Sequence, residues 1–279
     1  MIFNKSHQHT AYKKSSGIRQ SICLQILLRE FKRFLPVQTF AKLWPNDKSP
    51  IVSHNIMKTT LVIIFFLSHL TIFGQDIPIP ENYVILDTVS GDLDNDGKKE
   101  LVVAYNTTQE DESYKNIPRE LRIYKMQDGK WTVWKKSHQA LLASRDGGMM
   151  GDPFEKIEIK NGILHISHYG GSSWKWGHTD KYRYQDGEFY LIGYSSISGK
   201  FCEYWTDVDF NLSTGKMVVK KEYEDCETSE PEIYKRENET IYEKGIKITL
   251  QNRNKKAIKI VTPKYKHEIH IAIKYEYLE

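Results

Sequence analysis

The chain has 279 residues, of which 40 are basic and 36 acidic, for a net charge of +4. Residues 1–74 hold ten of the basic and two of the acidic side chains. Residues 75–279 therefore hold 30 basic and 34 acidic side chains, a net charge of −4. The basic excess belongs to the N-terminal part, so composition gives no reason to expect nucleic-acid binding. Residues 75–279 are numerous enough for one substantial core.

A second methionine opens a segment with the composition of a secretory signal peptide. Met57-Lys58 gives a positive start, residues 61–73 form an apolar run, and Gly74 ends it with a small residue. The apolar run is short for a membrane span, which needs about 20 residues. We therefore predict a non-native or disordered extension over 1–56, a signal peptide over 57–74 and one exported domain over 75–279. The alternative is an uncleaved signal anchor.

Export to an oxidising compartment would allow the cysteines to form a disulfide. The exported part contains two of them, Cys202 and Cys226. An even number in an oxidising compartment predicts a disulfide, with two free thiols as the alternative. The protein is expected to be secreted or periplasmic, and not membrane-spanning once the signal peptide is removed.

After residue 75 the chain reads as short strands separated by turns. Runs rich in β-branched and aromatic residues alternate with Asp-Gly and Asn-Gly pairs at 128–129, 161–162 and 186–187, the strongest local hairpin signal. The expected fold is all-β, made of antiparallel hairpins in a propeller-blade-like, β-sandwich or barrel arrangement. Two further hairpins are expected near the C-terminus, residues 240–242 with 246–250 and residues 257–261 with 267–277.

One loop carries a dense set of carboxylates between two predicted strands. Its acidic residues occupy loop positions 1, 3, 5 and 9, and glycine follows the third of them: Asp92, Asp94, Asp96, Gly97, Glu100. Carboxylate oxygens are the ligands Ca²⁺ prefers, and a sharp turn favours glycine. Lys98, at position 7, can offer its backbone carbonyl. The sequence predicts a Ca²⁺ site, with an Asx-rich turn lacking metal as the alternative.

The loop is not an EF-hand, because position 12 is Val103 and the flanking segments are strand-like. The strand–loop–strand arrangement of residues 81–136 instead resembles the FG-GAP/VCBS family, the calcium loops of integrin-like β-propeller blades. The family usually ends the ligand set with Asp, where this chain has Glu100, and it usually repeats the loop, which occurs once here. The resemblance implies Ca²⁺ as the bound ion.

An aromatic stripe is the candidate ligand surface. Its members are Trp174, Trp176, Tyr182 and Tyr184. Exposed, they could stack on sugar rings; buried, they are ordinary core residues. Glycine-rich segments at 147–151 and 170–171 precede the stripe and are expected to bend close to another part of the chain. The ligand is unknown, with a carbohydrate or a protein as candidates.

No residues are assigned a catalytic role. Glu203, Asp207 and Asp209 could supply a carboxylate pair for glycosidic cleavage, but strands at a protein surface commonly carry acids. The main hypothesis is an exported calcium-binding β-rich protein that acts as a non-enzymatic binding or structural module of the cell envelope. The alternative is a secreted polysaccharide-directed hydrolase.

Overall fold

The computed structural model describes residues 76–107, 116–226 and 231–272. The chain divides into two units, Met1–Phe73 and Gly74–Glu279, and the described residues all belong to the second. The predicted extension and signal peptide lie outside the described residues. No helix in the described ranges has the length and apolarity that crossing a membrane requires.

The first sheet is a four-stranded antiparallel meander that places the acidic loop between its first two strands. The strands follow one another in chain order: β1 Val84–Gly91, β2 Glu100–Asn106, β3 Arg119–Gln127 and β4 Lys130–Ser137. The apolar run of β2 is buried on both faces. Val102 and Ala104 enter the main core, and Val103 and Tyr105 enter a second, smaller cluster.

The second sheet is a seven-stranded antiparallel meander. Its strands also follow chain order: β5 Phe154–Lys160, β6 Ile163–Gly171, β7 Lys175–Gln185, β8 Glu188–Lys200, β9 Tyr204–Asn211, β10 Lys216–Asp225 and β11 Glu232–Tyr242. A separate two-stranded pair follows, β12 Ile258–Val261 and β13 Glu268–Ala272. Among the described residues the only helix is a single 3₁₀ turn, Gly148–Met150, so the all-β prediction is confirmed.

The predicted Asx-Gly turns close three hairpins. Asp128 and Gly129 have φ of 50° and 74°, Asn161 and Gly162 have 52° and 72°, and Asp186 and Gly187 have 50° and 85°. Positive φ at both central residues matches the right-handed twist of paired strands. These pairs therefore form the hairpin turns that the sequence predicts.

One of the two expected C-terminal hairpins is wrong. Residues 240–242 remain part of β11 and pair with β10. Residues 248–250 instead add to β8, where Leu191 donates to the Ile248 carbonyl over 2.9 Å and Leu250 donates to the Phe189 carbonyl over 3.0 Å. Ile248 and Leu250 are buried in the core, which explains why this segment pairs with β8 and not with residues 240–242. The second hairpin is confirmed by the pairing of β12 with β13, and residues 273–277 of that prediction lie outside the described residues.

A single large core joins the two sheets and the C-terminal segment. It takes Leu121 and Ile123 from the first sheet, Leu164 and Phe210 from the second, and Ile271 from β13. β1 lies beside the edge strand β5, where the Asp87 carboxylate accepts the Ile157 N–H at 3.0 Å. A disulfide joins Cys202 to Cys226, 24 residues apart, and confirms the predicted pairing.

Candidate functional site

The acidic loop is closed at its base by strand pairing. β1 ends at Gly91 and β2 begins at Glu100, and these two residues are paired across the ladder. Asp92 therefore leaves the end of β1 next to the start of β2. The antiparallel register brings the first and last acidic residues of the loop together, although eight positions separate them in sequence.

Side-chain-to-backbone hydrogen bonds hold the interior of the loop. Asp92 Oδ2 accepts the Gly97 N–H at 2.9 Å, Asp94 Oδ1 accepts the Asp96 N–H at 3.3 Å, and Asp96 Oδ1 accepts the Lys98 N–H at 2.8 Å. Gly97 has a φ of 83°, which favours glycine. The loop thus takes the turning path predicted from Gly97.

Three of the carboxylates converge. Asp92, Asp94 and Glu100 each have an oxygen within 4.8 Å of the other two. Glu100 is 1% exposed, and its Oε2 accepts the Leu93 N–H at 2.7 Å. Asp92 Oδ1 is buried and has no hydrogen-bond partner. An acidic triad of this kind could hold a metal ion.

Two of the predicted ligands lie outside this triad. The Asp96 side chain is 40% exposed, and it contributes no oxygen to the group of three. Lys98 is exposed, and its N–H is engaged by Asp96. The structure therefore brings together three of the four predicted carboxylates.

The sequence analysis missed a lysine at the centre of this cluster. Lys125 of β3 donates a hydrogen bond to Asp94, and its Nζ lies 3.9 Å from Asp96 and 4.0 Å from Glu100. The same ammonium lies 4.1 Å from the centre of the Trp134 ring. No local motif could have indicated Lys125, because only the pairing of β2 with β3 brings it to the loop.

The pKa values of this cluster reflect burial and pairing. Burial raises the pKa of Glu100, and the hydrogen bond from the Leu93 N–H opposes that shift. Burial acts to lower the pKa of Lys125, but the hydrogen bond to Asp94 and its charge outweigh burial, so the pKa is raised. Lys125 therefore carries a full positive charge beside the carboxylates.

The four aromatic residues of the candidate ligand surface separate into two pairs. Trp176 lines a cavity of about 550 Å³ on the second sheet, and Trp174 packs against Tyr204 of the same cavity with ring centres 5.1 Å apart. Tyr182 is fully buried in the core, and Tyr184 packs against Trp134 at 4.5 Å. Of the four aromatic residues, Trp176 lines the cavity, and exposed Trp174 lies beside it through its contact with Tyr204.

The glycine-rich segments meet beside this cavity. The Gly171 N–H donates to the Gly147 carbonyl over 2.8 Å. A side chain at Gly170 would come within 2.6 Å of the Trp176 ring. The predicted close approach is confirmed, and it seats Trp176 against β6.

The carboxylates of the alternative hydrolase hypothesis lie away from the cavity. Asp207 and Asp209 are exposed, whereas Thr206, which lines the cavity, and the following Val208 are buried. Because side chains alternate along a strand, the two aspartates are on the opposite face. Glu203 pairs with Lys200 at 2.5 Å. The hydrolase stays a prediction.

A buried polar cluster lies at the inner end of the cavity. Local sequence patterns did not indicate this cluster. The His168 and His178 rings are 5.1 Å apart, and burial lowers the pKa of His178 to about 4. Arg253 binds Asp180 through two nitrogens, at 2.6 Å and 3.0 Å. The bidentate pair satisfies both charges where water is excluded.

No protein-family model matches the chain, and no curated protein matches it. The function has to follow from the residues of the chain itself.

Proposed function

We propose that the protein is an exported calcium-binding β-domain that acts as a non-enzymatic binding or structural module. In this proposal Ca²⁺ binds the loop between β1 and β2 and stabilises it. The observation that carries it is the convergence of Asp92, Asp94 and Glu100 within 4.8 Å of one another. Three carboxylates this close repel one another unless a cation neutralises them.

The Asp92 carboxylate adds a second argument. Its Oδ2 is used by the Gly97 N–H, while its Oδ1 is buried without a hydrogen-bond partner. A buried polar atom without a partner costs about 1–3 kcal/mol, and more when the group is charged. A bound cation would supply the missing partner to Oδ1.

Calcium fits this donor set better than magnesium. Ca²⁺ accepts 6–8 oxygens in irregular geometry, whereas Mg²⁺ requires a near-ideal octahedron and keeps several waters. Here three carboxylate side chains approach one another from an irregular loop. Asp96 and the backbone carbonyl of Lys98 belong to the same loop and could supply further oxygen ligands. The same residues carry the proposed relationship to FG-GAP/VCBS calcium loops.

Lys125 competes with the ion. Its ammonium already offsets part of the negative charge, so Ca²⁺ gains less from the site than four free carboxylates would give. The Lys125 side chain is 22% exposed and can turn towards water. We expect Ca²⁺ binding to displace Lys125 from Asp94.

Export is supported by two independent features. The segment 57–74 has the composition of a signal peptide, and the Cys202–Cys226 disulfide is stable in an oxidising compartment. N-terminal sequencing of the secreted or periplasmic protein should find a mature end near Gln75. A start at or before Met57 would contradict signal cleavage.

Calorimetric titration with CaCl₂ and with MgCl₂ tests the metal proposal. We expect one Ca²⁺ per chain with a Kd of about 10⁻⁴–10⁻³ M, as in extracellular calcium modules, and weaker Mg²⁺ binding. Asp94→Asn should abolish the heat. Asp186→Asn is the matched control, because Asp186 is an exposed hairpin-turn aspartate outside the cluster, and it should bind like wild type. Absence of Ca²⁺ binding by the wild-type protein would overturn the proposal.

A further inference from the structure

We propose that the cavity of the second sheet binds an acidic sugar, a pyranose ring that carries a carboxylate, as a single unit or within an oligosaccharide. This names a ligand for the proposed binding function and rests on that function. It does not rest on the metal ion, because the residues that form the cavity are not those of the acidic loop.

The cavity continues the inner face of the sheet beyond the core. Along β7, β8 and β9, this face carries Tyr182, Leu191 and Phe210 in the core. Towards the other end of the same strands, it carries Trp176, Ser198 and Thr206 at the cavity. The facing wall comes from Lys266 and His267 in the turn before β13 and from His270 within β13. The volume of about 550 Å³ is within the range of small-molecule sites.

Strand register sets four cavity residues in one row across four strands. Trp176 pairs with Ser198, Ser198 with Thr206, and Thr206 with Lys221. Residues directly opposite one another in an antiparallel sheet project from the same face. With strands about 4.8 Å apart, the row spans about 14 Å. An aromatic ring, two hydroxyls and an ammonium are thus presented in order along one line.

Each member of the row suits one part of an acidic sugar. The face of an indole such as Trp176 packs against the C–H face of a pyranose. The hydroxyls of Ser198 and Thr206 can donate to and accept from sugar hydroxyls. Neither of these two hydroxyls is used in a hydrogen bond to another residue in the described ranges. The ammonium of Lys221 at the end of the row can pair with a carboxylate.

Lys221 is the reason to choose an anionic ligand. Its Nζ lies 3.6 Å from the centre of the Tyr204 ring and 4.9 Å from that of Tyr223. Within the described part of the chain, no carboxylate oxygen lies within 4.0 Å of it. Glu237, its neighbour on β11, is engaged by Lys235 at 2.7 Å and by the Tyr223 hydroxyl at 2.9 Å. A half-buried cation beside aromatic rings, with no carboxylate oxygen within 4.0 Å in the described residues, favours an anion.

Two carboxylates line the cavity, and a lysine neutralises one of them. Glu268 pairs with Lys259 at 3.1 Å. Asp146 accepts hydrogen bonds from Asn116 at 2.8 Å and from the Ala143 N–H at 2.9 Å. Lys266 on the facing wall adds a second cation. The two lining lysines, Lys221 and Lys266, are then opposed by the Asp146 carboxylate, so the cavity lining keeps one net positive charge.

Calorimetric titration of the protein in excess EDTA with trigalacturonate tests the inference, with maltotriose as the neutral comparator. Trigalacturonate is expected to bind at least tenfold more tightly than maltotriose. Lys221→Met should weaken trigalacturonate binding at least tenfold, and Lys221→Arg should restore most of it. Lys220→Met is the matched control, because Lys220 is exposed on the opposite face of β10, and it should bind like wild type.

Several results would overturn the inference. These are no binding of trigalacturonate, equal binding of maltotriose, equal weakening by Lys220→Met, or tighter binding of AMP, which would indicate a nucleotide site. The two proposals fail separately. Loss of Ca²⁺ binding with trigalacturonate binding intact contradicts only the metal site, whereas Ca²⁺ binding without trigalacturonate binding contradicts only the sugar site.

Discussion

Lys125 donates a hydrogen bond to the carboxylate of Asp94, 31 residues earlier in the chain. The acidic loop therefore contains its own cation, held in place by the pairing of β2 with β3. In the proposed function, this ammonium group competes with the metal ion for the same carboxylates. Under the proposed function, we expect the charge at position 125 to set the affinity of the loop for Ca²⁺.

Replacing that lysine should strengthen calcium binding. Lys125→Met removes one positive charge within 4.0 Å of Glu100, so Ca²⁺ no longer meets repulsion there. We expect Kd to fall about tenfold, or ~1.4 kcal/mol. Calorimetric titration with CaCl₂ measures Kd for both proteins; in the wild type, where the ammonium lies 4.1 Å from the Trp134 ring, its displacement should also change the Trp134 fluorescence. Lys135→Met, which removes a lysine paired with Glu188 at 2.7 Å, should leave Kd unchanged. An unchanged Kd in Lys125→Met would show that the ammonium does not compete.

The buried pair of Asp180 and Arg253 should be a major determinant of stability. Their side chains are 1% and 4% exposed. Asp180→Asn leaves the guanidinium buried without a counterion, which should lower the free energy of unfolding by about 3–5 kcal/mol. Glu222→Gln removes the exposed partner of Arg236 and should cost less than about 1 kcal/mol. Equal losses in urea unfolding of the two variants would contradict this assignment.

Stability should fall in mild acid because of His178. Burial lowers its folded-state pKa to about 4, despite the opposing charge of Asp180, while an unfolded histidine titrates near 6.5. Between these values the unfolded chain binds more protons than the folded one, so the stability present above about pH 6.5 is lost as the pH falls towards 4. Because the His178 side chain is half-buried, water screens part of this effect, and we expect the free energy of unfolding to fall by about 1–2 kcal/mol between pH 7 and 5. Urea unfolding of His178→Phe should show a shallower pH dependence, and an unchanged slope would contradict this.

The disulfide should stabilise the folded protein by restricting the conformations of the unfolded chain. It closes a loop with a sequence separation of 24, for which the chain-entropy account gives about 3–4 kcal/mol. The double variant Cys202→Ser, Cys226→Ser should lose this amount in urea unfolding, and adding dithiothreitol to it should change nothing further. Reduction of the wild-type protein should give the same loss. A variant as stable as wild type would show that the bond is not a stabilising element.

Local signals account for much of the fold. The Asp128-Gly129, Asn161-Gly162 and Asp186-Gly187 pairs specify turns through their own backbone preferences, so these hairpins were predictable. The path of residues 248–250 was not, because Ile248 and Leu250 leave their neighbours in sequence to reach a core that exists only after the sheets pack. Which sheet a strand joins depends on such distant contacts.

The candidate functional residues also divide into those found from local spacing and those brought together by strand pairing. Asp92, Asp94 and Glu100 were found because their spacing lies within one loop. Lys125 was not found, and neither was the row of Trp176, Ser198, Thr206 and Lys221, because strand register brings together residues far apart in the chain. Tyr182 shares the aromatic character of Trp176 and yet lies in the core, since position along β7 decides which residues reach the cavity.

The central claim is that a metal ion stabilises the loop between β1 and β2. Thermal unfolding of the wild-type protein and of Asp94→Ala, each in excess EDTA and in millimolar Ca²⁺, tests it most directly. We predict that Ca²⁺ raises the wild-type midpoint by about 3–8 °C and leaves the Asp94→Ala midpoint unchanged. Equal wild-type midpoints in EDTA and in Ca²⁺ would contradict the claim and leave an Asx-rich turn neutralised by Lys125.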